Sequence, residues 1–196
     1  MTLKTDLLET IAGKNRGLLA TEVDRANILT IIDRLEDENP TPKPLEAPQL
    51  LEGDWRLVYT TSNGILGINR FPLLQLGQVY QCIRPEQRKI YNIAELEGVP
   101  LLEGLVLVEA NFDAASDKRV NVEFTRLLIG SQRLMNYRFP RGLVEQLMAG
   151  KKFLPIDFGI NSKDRNAWLD TTYLDEDLRV GRGNEGSVFV MSREKY

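Results

Sequence analysis

From residue 51 onward the chain alternates apolar and polar residues in short runs, and this period of two constrains its fold more than any other feature. The runs are rich in β-branched and aromatic residues, which is typical of strands, and tight turns separate most of them. They read DWRLVYTT, GQVYQCIR, RKIYNIAEL, GLVLVEANFD, KRVNVEFTRLLI, QRLMNYRF, NAWLDTTYL, DLRVGRG and GSVFVMSRE. Helices do not alternate regularly with them, so we expect a sequential antiparallel meander.

Eight or nine strands in one antiparallel sheet would curl, and closure into a barrel removes the exposed strand edges. The sequence therefore predicts a mainly β protein whose residues 51–196 form a closed barrel. A barrel of about eight strands is the size that can hold one small ligand. Residues 141–152 fit either a short helix or an irregular crossing.

Residues 1–39 have a helical period instead and are predicted to form two helices that pack on the barrel. One apolar face of the first helix carries Leu3, Leu7, Leu8 and Ile11. The second helix follows a capping box of Thr21 and Asp24, and its apolar face carries Val23, Ala26, Ile28, Leu29, Ile31, Ile32 and Leu35. Isolated helices of this length are only marginally stable in water, so these two need a surface to pack against. Residues 40–50 contain four prolines and are predicted to be an extended linker.

Two absences restrict the chemistry of this chain. It has no histidine, which excludes a Ser-His-Asp triad, a Cys-His pair and any His-ligated metal. Its single cysteine, Cys82, rules out an internal disulfide and multi-cysteine zinc sites, and its strand context predicts a small buried apolar residue. The net charge of -3 argues against a nucleic-acid-binding protein. We expect neither a metal nor a cofactor.

The chain carries no apolar run of about 18 residues, so no membrane-spanning helix is expected. Its start mixes charges into a helical pattern and lacks the apolar core of a secretory signal, and its acidic residues argue against an organelle transit peptide. The sequence predicts a soluble protein that stays in the cytoplasm or has been trimmed.

The segment TTYLDEDLRVGRGNEGSVFV concentrates acidic and basic side chains. Asp175, Glu176 and Asp177 fall where a hairpin turn is expected, and turn carboxylates are usually solvated, so we assign no catalytic residue here. The spacing does not fit a calcium loop either, since an EF-type loop needs oxygen ligands at alternate positions and then glycine. Arg179 and Arg182 fit either an anion clamp or, by preference, a structural role.

A long apolar connection, residues 63–77, joins the first two strands. Its apolar side chains are Ile65, Leu66, Ile68, Phe71, Leu73, Leu74 and Leu76. Loops are normally polar and exposed, so this one must bury itself or meet an apolar partner. It fits either a lid packed over the barrel mouth or a rim that makes peripheral contact with a lipid or membrane.

Trp55 follows Gly53 at the start of the first strand, and this G-x-W pair resembles the signature of lipocalin-type barrels. In that architecture the tryptophan closes one barrel end, commonly under an arginine from the last strands. A cation–π contact of about 0.5–2 kcal/mol would support that arrangement. Here Arg179 and Arg182 are the candidates for the arginine.

Three blocks resemble sequences of the plastid lipid-associated proteins, also called plastoglobulins or fibrillins, of plants, algae and cyanobacteria. The blocks are LLEGDWRLVYTTS at 50–62, GQVYQCI at 77–83 and WLDTTYLDEDLRVGRGNEGSVFVMSR at 168–193. The resemblance covers most of the chain and implies a lipocalin-like, or calycin-like, barrel. Together with the G-x-W pair, the signature positions are Gly53, Trp55, Asp175, Arg179, Arg182 and Gly183. The absence of a transit peptide points to a cyanobacterial-type member.

The resemblance also implies a non-enzymatic protein that binds or carries a hydrophobic small molecule, such as an isoprenoid, prenyl quinone, carotenoid or fatty acid. It implies peripheral association with thylakoid membranes or lipid globules, and a role in photoprotection and stress. The alternative is a structural or scaffold protein that binds a membrane edge or a protein partner such as a polyprenyl synthase. A third interpretation, an acidic hydrolase or isomerase that uses Asp175, is disfavoured.

Six aromatic residues in the barrel region are candidates for the wall of a ligand cavity. They are Tyr59, Tyr80, Phe112, Phe124, Tyr137 and Phe189. Either face of each strand could point inward, and a shift of one residue exchanges the two faces.

Overall fold

Nine strands are present in the computed structural model, which describes residues 2–67, 74–98, 103–153, 156–159 and 167–196. They are β1 (Gly53–Thr60), β2 (Leu74–Arg84), β3 (Lys89–Gly98), β4 (Gly104–Ala114), β5 (Arg119–Ser131), β6 (Ile156–Gly159), β7 (Ala167–Leu174), β8 (Leu178–Gly183) and β9 (Val188–Arg193). Their lengths follow the period-two runs of the sequence, with short turns between most neighbours.

Eight of these strands close into an antiparallel barrel. The order around the barrel is β1, β2, β3, β4, β5, β7, β8 and β9, and β9 pairs back to β1. β5 pairs with β7 through residues 119–122 and with the short β6 through residues 126–129. The predicted barrel of about eight strands is confirmed, and β6 is an additional strand outside the ring.

Two helices cover one side of the barrel. α1 (Leu3–Ile11) and α2 (Glu22–Asp37) pack on outward side chains of β7, β8 and β9, and the predicted capping box of Thr21 and Asp24 is present. The N-terminal cluster thus formed consists of Leu7, Ile11, Ile28, Ile32, Leu35, Tyr59, Tyr173, Leu178, Val180, Val188 and Val190. Val23 does not belong to the buried face as predicted, because it is 70% exposed.

The proline-rich segment is compact rather than extended. It forms a 3₁₀ turn at Pro44–Glu46 and one helical turn, α3, at Pro48–Leu51. Both prolines stand at the first position of their turn, where a missing N–H costs nothing. Leu51 is buried against the barrel interior, and Leu45 and Leu50 pack beside it. The prediction of an extended linker is therefore wrong at these residues.

α4 is a single helical turn after β1, at Asn63–Leu66. A longer helix, α5 (Pro140–Met148), packs on the outer face of β2 to β5. The α5 cluster consists of Cys82, Tyr91, Ile93, Leu105, Leu107, Leu128, Met135, Leu143, Val144, Leu147 and Phe153. Cys82 is fully buried there, as predicted. The run QRLMNYRF, predicted to be a strand, instead forms turns over residues 132–136, with Asn136 at a positive φ of 50°.

Candidate functional site

The barrel encloses a cavity of about 590 Å³. This volume falls within the usual range of about 300–1,000 Å³ for small-molecule pockets. Most of the wall is apolar and comes from inward positions of the strands, including Val79, Ile90, Ala94, Val106, Val108, Val122, Phe124, Leu127, Leu169, Phe189 and Met191.

The strand period and the helical covering together explain the burial pattern of the wall. On β4, Leu105 and Leu107 point outward and are fully buried in the α5 cluster. Val106 and Val108 point inward and keep partial exposure because they face the cavity. A half-buried strand usually buries its inner face and exposes its outer face. In β4 the outer face is the buried one, and the inner face is more accessible because it borders the cavity.

Trp55 closes one end of the barrel. It is fully buried, and its indole Nε1 donates to the Leu51 carbonyl at 3.0 Å, which ties β1 to α3. Two guanidinium groups lie against the indole ring, Arg179 at 5.4 Å and Arg193 at 4.2 Å from its centroid. The predicted contact between Trp55 and a late arginine is therefore present through Arg179.

Gly53 makes room for the second of these arginines. Its φ is +146°, and a Cβ at this position would lie 2.5 Å from Arg193 Nη1. Arg193 donates to the carbonyls of Leu50, Glu52 and Glu176, and so joins the segment before β1 to the hairpin after β7. The G-x-W pair thus serves the closed end of the barrel, where the glycine admits Arg193 and the tryptophan fills the interior.

Three polar side chains interrupt the apolar wall near the closed end. Arg179 Nη2 donates to Gln81 Oε1 and lies 2.8 Å from Met191 Sδ, and Gln81 Nε2 donates to Asn92 Oδ1 at 2.8 Å. Arg179 is only 2% exposed, and no described residue accepts a hydrogen bond from its Nε. Burial, together with the positive charge of Arg193, lowers the pKa of Arg179 to about 9, so the side chain remains charged at neutral pH.

The opposite end of the cavity is bordered by loop and strand-terminal residues. Ser62 and Ile65 follow β1, and Asn184 and Ser187 lie between β8 and β9. Trp168 is the second residue of β7. In the predicted lid, Leu66 and Leu76 are buried. Ile68, Phe71 and Leu73 lie outside the described residues, as does the side chain of Leu74.

The structure brings some of the predicted wall residues to the cavity. Phe124 and Phe189 line it directly. Phe112 packs with the apolar side chains of the barrel interior. Tyr80 borders the cavity between Val79 and Gln81, while it also packs against the α5 cluster.

Two predicted wall residues lie outside the barrel. Tyr59 belongs to the N-terminal cluster, because the pairing of β1 with β9 shifts between Leu57 and Tyr59 and Val58 is the extra residue of a bulge. Tyr137 packs against the α5 cluster and donates from its hydroxyl to Glu95 Oε1 at 2.8 Å. Neither side chain contributes to the cavity wall.

The acidic segment forms the predicted hairpin tip between β7 and β8. Asp175 accepts hydrogen bonds from the backbone N–H groups of Asp177 and Leu178, both at 2.7 Å, and from the Tyr173 hydroxyl and Lys4 Nζ, both at 2.8 Å. Burial favours the neutral acid, but these four donors outweigh it and lower the pKa of Asp175. A carboxylate held in the ionised form is not prepared to act as a general acid.

Arg179 and Arg182 do not form an anion clamp. Arg179 points into the barrel, whereas Arg182 points outward and donates to Glu36 and Asp33 of α2. Gly183 lines the cavity, and a Cβ there would lie 3.2 Å from the ring of Phe189. Among the described residues there is no group of three acidic or cysteine side chains that could hold a metal.

The sequence interpretation missed Gln81 and Asn92. Each stands at an inward position between two apolar residues with the same orientation: Gln81 between Val79 and Ile83, and Asn92 between Ile90 and Ala94. The two are directly paired across β2 and β3. A polar residue that interrupts the apolar half of an alternating strand is the sequence signal that would have found them.

The comparisons with known proteins agree over nearly the whole chain. A family model described as PAP_fibrillin matches residues 1–192. The chain is 34% identical to the light-induced protein, chloroplastic, of Solanum tuberosum, over 98% of this chain and 67% of that protein. It is 33% identical to the chromoplast-specific carotenoid-associated protein of Cucumis sativus (98% and 67%) and to the plastid-lipid-associated protein of Citrus unshiu (98% and 68%). No solved structure matches significantly.

None of the helices described in the structure is long and apolar enough to cross a bilayer.

Proposed function

The chain belongs to the PAP_fibrillin family, and from that premise we propose that its barrel binds or carries a hydrophobic small molecule without transforming it. The observation that carries this proposal is the cavity of about 590 Å³ with a largely apolar wall. Transfer of apolar ligand surface out of water contributes about 25 cal/mol per Å². A wall held by closed strand pairing is largely preformed, so little of this energy is lost in ordering the protein.

The ligand classes we propose are isoprenoids, prenyl quinones, carotenoids and fatty acids. Support comes from two relatives whose names describe them as carotenoid-associated and plastid-lipid-associated. We place the protein peripherally at thylakoid membranes or lipid globules of a cyanobacterial-type cell, in a role connected with photoprotection and stress. No substrate conversion is proposed, because Asp175 is bound by four donors in a turn and does not line the cavity, and the described residues of the wall include no acidic side chain.

Extraction of the purified protein tests the proposal. Protein isolated from its native host is washed free of loose lipid, extracted with organic solvent, and the extract is analysed by mass spectrometry. We expect one class of isoprenoid or acyl lipid in near-stoichiometric amount. Recovery of no apolar compound, from protein that also fails to bind any added candidate ligand, would contradict carriage.

A scaffold that binds a membrane edge or a protein partner is the second candidate. The observation that favours it is the exposure of apolar side chains outside the cavity, such as Leu19 between α1 and α2, Val23 on α2 and Phe158 on β6. Exposed apolar residues of this kind are suited to a partner surface. In that case the extract would contain no stoichiometric ligand, and a partner would co-purify with the intact protein.

A further inference from the structure

We propose that the cavity selects apolar ligands that end in a carboxylate, and that Arg179, Gln81 and Asn92 bind this group near the closed end of the barrel. The apolar tail would extend along the wall toward the end bordered by Ile65 and Trp168. The inference rests on the proposed function and adds the ligand's chemical class and its orientation.

Arg179 is a buried charge that has no counter-ion among the residues described by the structure. No carboxylate of the described residues forms an ion pair with it, and no described residue of the cavity wall is acidic. A second cation lies close to it, since both Arg179 and Arg193 lie against the ring of Trp55. Burial of an unpaired charge is strongly unfavourable, and natural proteins usually pair such groups.

The hydrogen-bonding capacity of Arg179 is also largely unused. A guanidinium has five N–H groups in a fixed fork. Among the residues that the structure describes, only Nη2 finds acceptors, which are Gln81 Oε1 and the weak acceptor Met191 Sδ, and Nε finds none. Arg179 is one of the residues that line the cavity, although its Nε is itself buried.

Gln81 and Asn92 extend the set of donors. Gln81 accepts from Arg179 and donates to Asn92 Oδ1 at 2.8 Å, which fixes the orientation of both amides. The Asn92 amide NH₂ is left without a hydrogen-bond partner among the residues that the structure describes. The hydrogen-bonded series Arg179–Gln81–Asn92, called the relay below, therefore offers N–H groups at both of its ends. This arrangement suits an acceptor with two oxygens.

Charge distinguishes a carboxylate from the neutral polar ends of other lipids. A quinone or ester carbonyl would accept a hydrogen bond but would leave the positive charge of Arg179 uncompensated. A carboxylate satisfies the donors and also supplies the missing counter-ion in a site of low polarity, where such pairs are strong. It would also reverse the depression of the Arg179 pKa that burial causes.

A comparison of three ligands with one chain length tests the inference on the unmodified protein. Hexadecanoic acid, its methyl ester and the corresponding alcohol are added at pH 8, each below its aggregation concentration. Binding is followed by intrinsic fluorescence, because Trp168 lines the cavity and Trp55 contacts Arg179, and by native mass spectrometry. We expect the acid to bind at least about tenfold more tightly than the ester or the alcohol.

The outcomes separate the inference from the function on which it rests. If the ester or alcohol binds as tightly as the acid, the cavity binds apolar molecules but the carboxylate preference is wrong. If none of these ligands binds, and a prenyl quinone and a carotenoid also fail, both the inference and the proposed function are overturned.

Two arginine variants assign the preference to a residue. Arg179→Met should abolish the difference between acid and ester while ester binding remains. Arg193→Met is the matched control, since it removes a second guanidinium from the Trp55 ring but none from the cavity wall, and it should keep the acid preference. Equal loss in both variants would contradict the assignment to Arg179.

A third variant covers the case in which Arg179→Met does not fold, as judged by circular dichroism. Asn92→Leu leaves Arg179 and its contact with Trp55 in place and removes one end of the relay. We expect it to weaken acid binding by about threefold or more, with ester binding unchanged. Unchanged acid binding would exclude the relay from the site.

Discussion

Asp175 accepts hydrogen bonds from four donor groups at the tip of the β7–β8 hairpin and joins that hairpin to α1 through Lys4. The two backbone N–H groups it accepts from belong to the turn itself, so the side chain stabilises the turn locally. The contact with Lys4 is long-range and fixes the start of the chain to the barrel. A residue that first suggests acid–base chemistry therefore has a structural role.

Replacement of Asp175 by asparagine should destabilise the protein. Asparagine retains one oxygen as an acceptor but loses the charge that pairs with Lys4 and the second acceptor oxygen. We expect a loss of about 1–3 kcal/mol in the free energy of unfolding, measured by denaturant titration. Glu176→Gln is the matched control, because that side chain is exposed on the same turn, and it should change stability by less than about 0.5 kcal/mol.

The pH dependence of stability gives an independent check on the same carboxylate. Its folded-state pKa is lowered below the ordinary value of 3.8, so the unfolded chain takes up its proton first as the pH falls. The stabilisation is complete above about pH 3.8 and is lost as the pH decreases through the folded-state pKa. The stability difference between the wild type and Asp175→Asn should therefore narrow below pH 3.8. A difference that stays constant down to the acid transition would show that the charge is not involved.

At single residues, the sequence predicted contacts better than it predicted the direction in which side chains point. The contact of Trp55 with Arg179 followed from the G-x-W pair and the late arginines. Tyr59 was expected in the cavity wall, and this prediction is wrong because Val58 is an extra residue in β1 and turns Tyr59 outward. Bulges depend on pairing with a neighbouring strand, so a single strand's alternation does not reveal them.

Among the helices, α2 is joined to the barrel by charge as well as by apolar packing. Both Nε and Nη2 of Arg182 in β8 donate to Glu36, and the shortest distances are 2.9 Å from Nε to Oε1 and 2.7 Å from Nη2 to Oε2. It also donates to Asp33 at 2.6 Å. The side chain of Glu36 is 16% exposed and that of Asp33 is 66% exposed, so solvent screens the second pair far more.

The two acids of α2 should therefore differ in their effect on stability. We expect Glu36→Gln to lower the free energy of unfolding by about 1–2 kcal/mol, since it removes one side of a two-point contact with Arg182. Asp33→Asn should lower the free energy of unfolding by less than about 0.5 kcal/mol. Thermal and denaturant unfolding of both variants measure the difference, and equal effects would contradict the role given to burial.

Removal of the N-terminal helices should expose an apolar strip on the barrel. Val180, Val188 and Val190 are fully or almost fully buried, and they pack against α1 and α2. A chain that begins after residue 39 should bind a hydrophobic dye and self-associate in size-exclusion chromatography. A monomeric truncated protein that does not bind the dye would show that the barrel does not need this covering.

Elements with a clear period were predictable, whereas elements decided by tertiary contacts were not. The strands and both N-terminal helices followed the sequence closely. Residues 132–136 read as a strand but form turns that place Met135 in the α5 cluster. β6 has only four residues and is stabilised by pairing with β5, including the bidentate contact of Arg126 with Asp157, which no local pattern indicates.

For the molecule as a whole, apolar packing on the outside of the barrel provides much of the core, so the barrel interior does not have to be filled with side chains. The N-terminal cluster and the α5 cluster bury outward strand faces on two sides, so much of the core lies between strands and helices. In a small barrel without such coverings, the interior would have to be filled by side chains to provide a core. Here the described apolar residues of the interior pack in one cluster with Trp55, and the space that they leave forms the cavity.

A variant that fills the cavity should therefore lose binding without losing its fold. Val108 points into the cavity from β4, and Val108→Phe would occupy space that a ligand needs. We expect stability to change by no more than about 1 kcal/mol, because the added ring enters a cavity and not a packed core. Ligand affinity should fall at least about tenfold, as the apolar contact area is reduced.

The matched control is Val23→Phe, which makes the same change on α2 at a side chain that is 70% exposed, and it should leave affinity unchanged. Affinities of both variants are measured with the ligand class recovered from the wild type. If Val108→Phe bound as tightly as the wild type while Val23→Phe bound more weakly, the ligand would occupy an exterior apolar surface. The scaffold function would then be favoured, because the residues that matter would be those available to a partner and not those that line the barrel.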